Sequence, residues 1–380
     1  MNRRRVLILG LDGMAPDLIQ QWIAAGELPA FAALRRAGSF GLLRSSVNSM
    51  TPSAWTSMAT GVGPGQHGLF NFVEYVPATH TLLLPDSRRR RMPAIWELAG
   101  DAGRRCCILR VPMTFPATPV NGWLVAGILA PSIRHEGFAW PAELAGELRR
   151  QFGPYGWGEK WGDDAPVMTG KYGRALRQLL AGVDRGFDLI EFGLEQESWD
   201  LVFAVLHEPD EAGHNFWHLM DTESPYYDPA AAVRHGDGMR RVYQRIDARL
   251  GALMRRVGRD TAVLVVSDHG LGGRRPAAWH VRALLVAAGF QVLREAPPAD
   301  GGIRGRLLGM KQAMTRRIPW GVRRRFRPLS RELRRRGATE SLLGTVDWHS
   351  TAAFTLVGGG TGEIWLHLAG RCPGGTLQPG

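Results

Sequence analysis

Cysteine is scarce in this chain of 380 residues: there are three. Cys106 and Cys107 are neighbours, and Cys372 is far from both. With no C-x-x-C spacing, a disulfide framework and a cysteine-based zinc site are excluded, and a reducing, cytoplasmic setting is expected. Long hydrophobic runs are also missing. No stretch approaches the 18 or so apolar residues that a membrane span needs. The start, "MNRRRVLILGLDGM", is basic, but its apolar run ends at Asp12, too soon for a signal peptide. Negative charge is in deficit, with 35 acidic residues against 47 basic ones and a formal net charge of +12. The excess is largely arginine and favours anionic partners without choosing among phosphorylated substrates, nucleic acid and acidic membranes. No internal repeat or low-complexity tract is present. No Lys-Ser/Thr follows the glycines of "LVGGGTGE", which excludes a phosphate loop there.

The chain does have alternating helical and strand-like segments. "RRVLILGLDG" reads as a buried first strand ending in a Gly-Asp-Gly turn. Residues 16–37 carry helical periodicity, with Leu18, Ile19, Trp22 and Ile23 on one face. "SAWTSMAT" predicts a short helix closed by Gly61, and "AIWELAGDAG" a helix feeding the strand "RCCILRVPM". "GWLVAGI" is a further short strand. A long amphipathic helix over 170–193 precedes the strand "DLVFAVLH", and a helix over 235–257 precedes "TAVLVVSDHG". This alternation predicts an α/β protein, a three-layer α/β/α sandwich around a mostly parallel sheet. The expected division is a catalytic core over 1–275, a helical basic insertion over 276–340, and a return to the core over 341–380. Within the insertion, residues 303–337 are rich in arginine. Pro319, Gly321 and Pro328 interrupt any long helix there, so a cap with a solvated basic face is expected. Weak membrane-surface contact is the alternative, and no specific nucleic-acid partner is expected. "TAAFTLVGGGTGEIWLHL" reads as two strands around a glycine turn.

Three apolar strands run into carboxylates: "VLILGLD" at Asp12, "LVFAVLHEPD" at Asp210 and "AVLVVSD" at Asp268. In open α/β sheets ligands bind beyond the carboxyl ends of strands. His269 follows Asp268 directly, and His214 stands four residues after Asp210. One such pair is commonly a helix cap beside a surface histidine. Three strand-end carboxylates with two histidines point instead to a metal site, since carboxylate plus imidazole suits zinc, and also manganese or iron. "SVNSMTPSAWTSMATG" adds Thr51 before Pro52 at the start of a helix. By itself Thr51 reads as an N-cap. The same position would present its hydroxyl, beside the positive end of the helix, to an anion.

Five stretches, "GLDGM", "TPSAWTSMATGVGPGQHGLFNF", "HEPDEAGHNFW", "VVSDHG" and "VDWHSTAAF…GEIWLHLAGR", together resemble the alkaline phosphatase superfamily. The likeness is to its type I phosphodiesterase/nucleotide pyrophosphatase branch and that branch's bacterial phosphohydrolase/phosphomutase relatives. The resemblance implies a metal-dependent phosphohydrolase with two divalent metals, zinc or manganese, acting on a phosphorylated small molecule through a phosphothreonine intermediate. Asp12, Thr51, Asp268 and His269 match the ligands of one metal, with Thr51 also the nucleophile. Asp210 and His214 match two of the three protein ligands of the other, on the loop after a strand. Thr51 and Ser53 are the implied substrate contacts. His67, in "PGQHG", reads as a turn and packing residue, and His207 has no implied role.

The chain departs from the family pattern in two places. Ala54 stands where the phosphodiesterase branch has an asparagine that holds a phosphate oxygen. The third ligand of the second metal, a histidine near the C-terminus in relatives, has no counterpart, as if the chain stopped short of that segment. His349 and His280 are the candidates to replace it. The uneven ligand count predicts one tightly held metal and one that dialysis removes. A sulfatase is excluded because "TPSA" lacks the C/S-x-P-x-R setting. The rival functions are a phosphomutase or phosphotransferase with the same site, and a metal-poor binding protein.

Overall fold

A computed structural model describes residues 5–130, 132–153, 170–258, 260–273, 281–294, 345–355 and 363–380. His280, the basic segment 303–337 and the glycine turn of the last strand pair lie outside the described residues. The chain divides into two units, one of residues 1–72 and 85–276, the other of 73–84 and 277–380.

The first unit is built on a six-stranded sheet. Its strands are β1 (Arg5–Leu11), β4 (Cys106–Leu109), β5 (Gly122–Val125), β6 (Ala139–Trp140), β7 (Leu201–Leu206) and β8 (Thr261–Val266), in the order β6-β5-β4-β7-β1-β8. Every neighbouring pair is parallel except β5–β6. The helices are α1 (Pro16–Ala24), α2 (Pro29–Ala37), α3 (Thr51–Thr60), α4 (Pro64–His67), α5 (Ile95–Asp101), α6 (Leu144–Phe152), α7 (Tyr172–Gln196), α8 (Glu208–Met220), α9 (Pro229–His235) and α10 (Gly238–Val257).

Side-chain alternation along each strand makes two cores, one on each face of the sheet. Leu7, Leu9 and Leu11 of β1 and Val202, Ala204 and Leu206 of β7 pack with Val183 and Phe187 of α7, Phe216 of α8 and Tyr243 and Ile246 of α10. On the other face, Phe203 and Val205 of β7 and Ile108 of β4 pack with Trp55 and Ala59 of α3 and Trp96 of α5. All six residues of β7 are buried, as expected of a central strand in a covered parallel sheet.

The helical run expected over 16–37 is two helices. Gly26 takes a positive φ of 74°, and Pro29 opens α2 after Leu28, which is outside the helical region at φ −126° and ψ 69°. The Asp247 carboxylate, reaching from α10, accepts the N–H groups of Ala30 and Phe31 at 3.1 and 2.9 Å, so α2 is capped by a residue far away in sequence. The helix expected over 235–257 also starts later, because α9 ends at His235 and α10 begins at Gly238.

The second unit contains the antiparallel hairpin β2 (Glu74–Val76) and β3 (Thr81–Leu83), helix α11 (Val281–Ala287), and strands β9 (Ala353–Phe354) and β10 (Trp365–Leu366). β9 and β10 pair antiparallel, Trp365 opposite Phe354. Tyr75 and Phe354 centre a small aromatic core with Leu82, Trp348 and Trp365. Among the described residues no helix is long and apolar enough to cross a membrane.

Candidate active site

The register of the sheet assembles the site. β1 lies between β7 and β8, parallel to both, with Leu11 opposite Leu206 and Gly10 opposite Val266. The three chains therefore leave the sheet side by side at their carboxyl ends, delivering Asp12, His207 and Asp268 to one place. Gly10 lets α3 come close: a Cβ there would lie 2.3 Å from the Trp55 ring. That approach sets the head of α3, and Thr51 with it, over the end of β1.

Asp12, Asp268 and His269 offer ligand atoms that all lie within 4.8 Å of one another, the one such group of three or more among the described residues. His269 Nε2 is 3.5 Å from Asp12 Oδ1 and 3.4 Å from Asp268 Oδ2. The other ring nitrogen, Nδ1, is 2.9 Å from the Gly270 carbonyl, which can only accept. That contact places the ring proton on Nδ1 and leaves the Nε2 lone pair facing the carboxylates. Asp268 is buried, and its Oδ2 takes no hydrogen bond. Burial, and then the charge of Asp12, push the Asp268 carboxyl well above the usual carboxylate range. Two carboxylates and an imidazole nitrogen converge, a set of ligand atoms that a divalent cation fits.

The backbone around them is pinned. Gly13 N–H donates to Asp268 Oδ1 at 3.2 Å, Met14 N–H donates to Ser267 Oγ at 2.9 Å, and Ser45 Oγ donates to the Asp268 carbonyl at 2.6 Å.

Thr51 is buried at the first position of α3, with Oγ1 3.2 Å from His269 Nε2 and 3.5 Å from Asp12 Oδ1. It is not the N-cap expected from the sequence. The flanking residue is Met50, in extended conformation, and its side chain makes no cap hydrogen bond. The hydroxyl is directed to the carboxylate–imidazole group instead. Ser53 is wholly buried, its Oγ without a partner, and Ala54 is buried beside it.

Asp210 and His214 stand on α8 rather than on a loop. The helix begins directly after β7, so Asp210 sits in its first turn and His214 one turn later, Nε2 3.3 Å from Asp210 Oδ2. Asp210 is buried with Oδ1 taking no hydrogen bond, whereas the His214 side chain is 54% exposed. Gly13 couples this pair to the first group. It has a positive φ of 60°, and a Cβ there would lie 2.7 Å from Asp210 Oδ1. Next to the pair, burial and the charge of Glu208 push the Glu211 carboxyl up to about 7.

His349 is exposed, its backbone N–H donating to Asp347 Oδ1 at 3.2 Å. His67 is fully buried, with Nδ1 accepting from Leu69 N–H at 3.1 Å and Nε2 2.9 Å from Ser57 Oγ, the bonds of a packing residue. Nothing in the residue pattern signals the buried Arg110–Glu208 ion pair at 2.8 Å, or His367, buried between the carbonyls of Thr351 and Pro373. A charged residue at a strand end was the only available signal for Arg110.

Residues 6–298 match the family described as type I phosphodiesterase / nucleotide pyrophosphatase. The chain belongs to that family. It is accordingly a hydrolase of phosphoester or related bonds, in a family that is metal-dependent and generally uses two divalent metals. No curated protein matches it in sequence. Similar solved structures include phosphonoacetate hydrolase from Sinorhizobium meliloti 1021 in complex with phosphonoformate, 19% identical over 82% of this chain and 73% of that one, TM-score 0.47. Murine ectonucleotide pyrophosphatase/phosphodiesterase 5 is 13% identical over 78% of this chain and 65% of that one, TM-score 0.42.

Proposed function

We propose that this member of the family is a phosphohydrolase in which Thr51 is the nucleophile and the acceptor group around it holds a divalent metal. The observation that carries the reading is the placement of Thr51 Oγ1, 3.2 Å from His269 Nε2 and 3.5 Å from Asp12 Oδ1, at a helix head where it caps nothing. Asp12, Asp268 and His269 would hold the first metal, zinc by the mixture of imidazole and carboxylate, with manganese also accepted. Asp210 and His214 would hold a second metal more weakly, having two ligands where a catalytic zinc usually has three from protein. A metal there supplies positive charge that acidifies a hydroxyl and offsets charge on phosphoryl oxygens.

The chain's own groups do the rest. The head of α3 turns the positive end of its dipole toward the anionic phosphoryl group. Thr51 Oγ1 attacks phosphorus, the ester oxygen leaves with the hydroxyl's proton, and a phosphothreonine ester remains. Water then cleaves that ester and restores Thr51. The substrate class is a phosphorylated small molecule, in keeping with the net charge of +12. The free and buried Cys106, Cys107 and Cys372 suit the reducing cytoplasm.

The test is Thr51→Ala assayed on an aryl phosphodiester, with acid quenching of the wild type to trap a phosphorylated Thr51 peptide. Turnover should fall by more than about 1,000-fold, as for loss of a nucleophile. The melting temperature should move little, because no cap is lost. Turnover surviving in the variant removes Thr51 from the chemistry. Release of product to water, rather than transfer to a second alcohol, separates hydrolase from phosphotransferase.

A further inference from the structure

His207 lies beneath the site and belongs to neither ligand group. It is buried, with Nδ1 2.8 Å from Asp12 Oδ2 and Nε2 3.2 Å from the carbonyl oxygen of Arg110. The two Asp12 oxygens are thereby divided. Oδ2 is held by His207, and Oδ1 faces Thr51 Oγ1 and His269 Nε2, each at 3.5 Å. An ionised carboxylate and a backbone carbonyl both only accept, so a neutral ring donates to one of them, and the shorter contact assigns the proton to Nδ1, facing Asp12.

The far end of the ring lies against the Arg110 backbone. Arg110 follows β4 with a positive φ of 61°, and its guanidinium pairs with Glu208, the residue after His207. This support is tightly built, since a Cβ at Gly186 would lie 2.6 Å from Arg110 Nη1 and one at Gly182 would lie 2.8 Å from Glu208 Oε1. His207 is thus braced from β4 and α7, elements that contribute no ligand.

We propose that His207 is the positioning residue for Asp12: it holds Oδ2 and so presents Oδ1 alone to the cation. This rests on the reading above that a metal binds at Asp12. A hydrogen bond of this kind fixes ligand orientation, and its loss costs about 10–100-fold in metal affinity.

The test uses the full chain, stripped of metal and titrated with Co2+ alone, followed by calorimetry and by the visible absorption of the bound ion. His207→Asn places an amide nitrogen where Nδ1 stands. His207→Gln reaches only the Nε2 position, and His207→Leu reaches neither. With folding checked by near-ultraviolet circular dichroism, Asn should bind Co2+ close to the wild type with the same spectrum. Gln and Leu should bind about 10–100-fold more weakly with an altered spectrum. If Leu fails to fold, the comparison of Asn with Gln decides. Wild-type affinity and spectrum in both Gln and Leu, or Asn as weak as Gln, overturns the assignment. Asp12→Asn is the control: if it binds Co2+ as the wild type does, the metal reading itself fails, whatever the His207 variants do.

Discussion

The two proposed ligand groups differ in how the chain builds them. Asp12, Thr51, Asp268 and His269 come from two strand ends and a helix head, with Thr51 and His269 218 residues apart. Asp210 and His214 come from one turn of α8. In the first group the sheet register and a set of backbone hydrogen bonds settle where each atom lies before any cation arrives. In the second, Asp210 is buried but the His214 side chain is 54% exposed, so binding must also order an exposed side chain. A group assembled over long range costs more to build, and the cost is met in folding. A local group is simple to encode and is proposed to bind less firmly. The strain in the first group is the counterpart of its readiness, two buried carboxylates held close together across the His269 imidazole.

Asp268→Asn should break the contrast most strongly. It removes a ligand, so affinity for the first metal should fall beyond the roughly 10–100-fold that losing a supporting hydrogen bond costs. It should also relieve the metal-free protein. Because the folded Asp268 carboxyl sits above its unfolded value, the stability it contributes is present in acid, below about pH 4, and is lost as pH rises toward and through the raised value. Melting temperatures of the metal-free wild type should therefore decline over that range more steeply than those of the variant. Parallel curves would show that the two aspartates do not strain the fold.

His214→Ala should have a smaller and more selective effect. The second metal should weaken about tenfold, or ~1.4 kcal/mol, while the first stays bound. Stability should change by no more than about 0.5 kcal/mol, as for an exposed side chain. Calorimetric titration of a second metal into dialysed protein, expected to retain one metal per chain, reads this directly, and loss of both metals together would dissolve the distinction. His349→Ala should do least: the side chain is exposed, and neither metal content nor melting should move beyond about 0.5 kcal/mol. Two metals retained by the wild type and one by His349→Ala would make His349 the missing third ligand.

Residue order alone determined the local features. Apolar runs leading to Asp12, Asp210 and Asp268 encode strands whose apolar stretch stops before a carboxylate, a group that must be paired where it is buried. The four-residue spacing of Asp210 and His214 likewise encodes one helical face, although the helix itself was read as a loop. Tertiary structure decided which ends meet. Strand order and register are set by how helices cover both faces of the sheet, which no local periodicity records. Only that packing placed Thr51 against Asp12 and His269 instead of over its own helix, split the helix expected over 16–37 through a cap from Asp247, and put His207 behind Asp12 from 195 residues away. Each of these is a polar bond between distant segments, and its partner is chosen by burial, which leaves the group no water to bind instead.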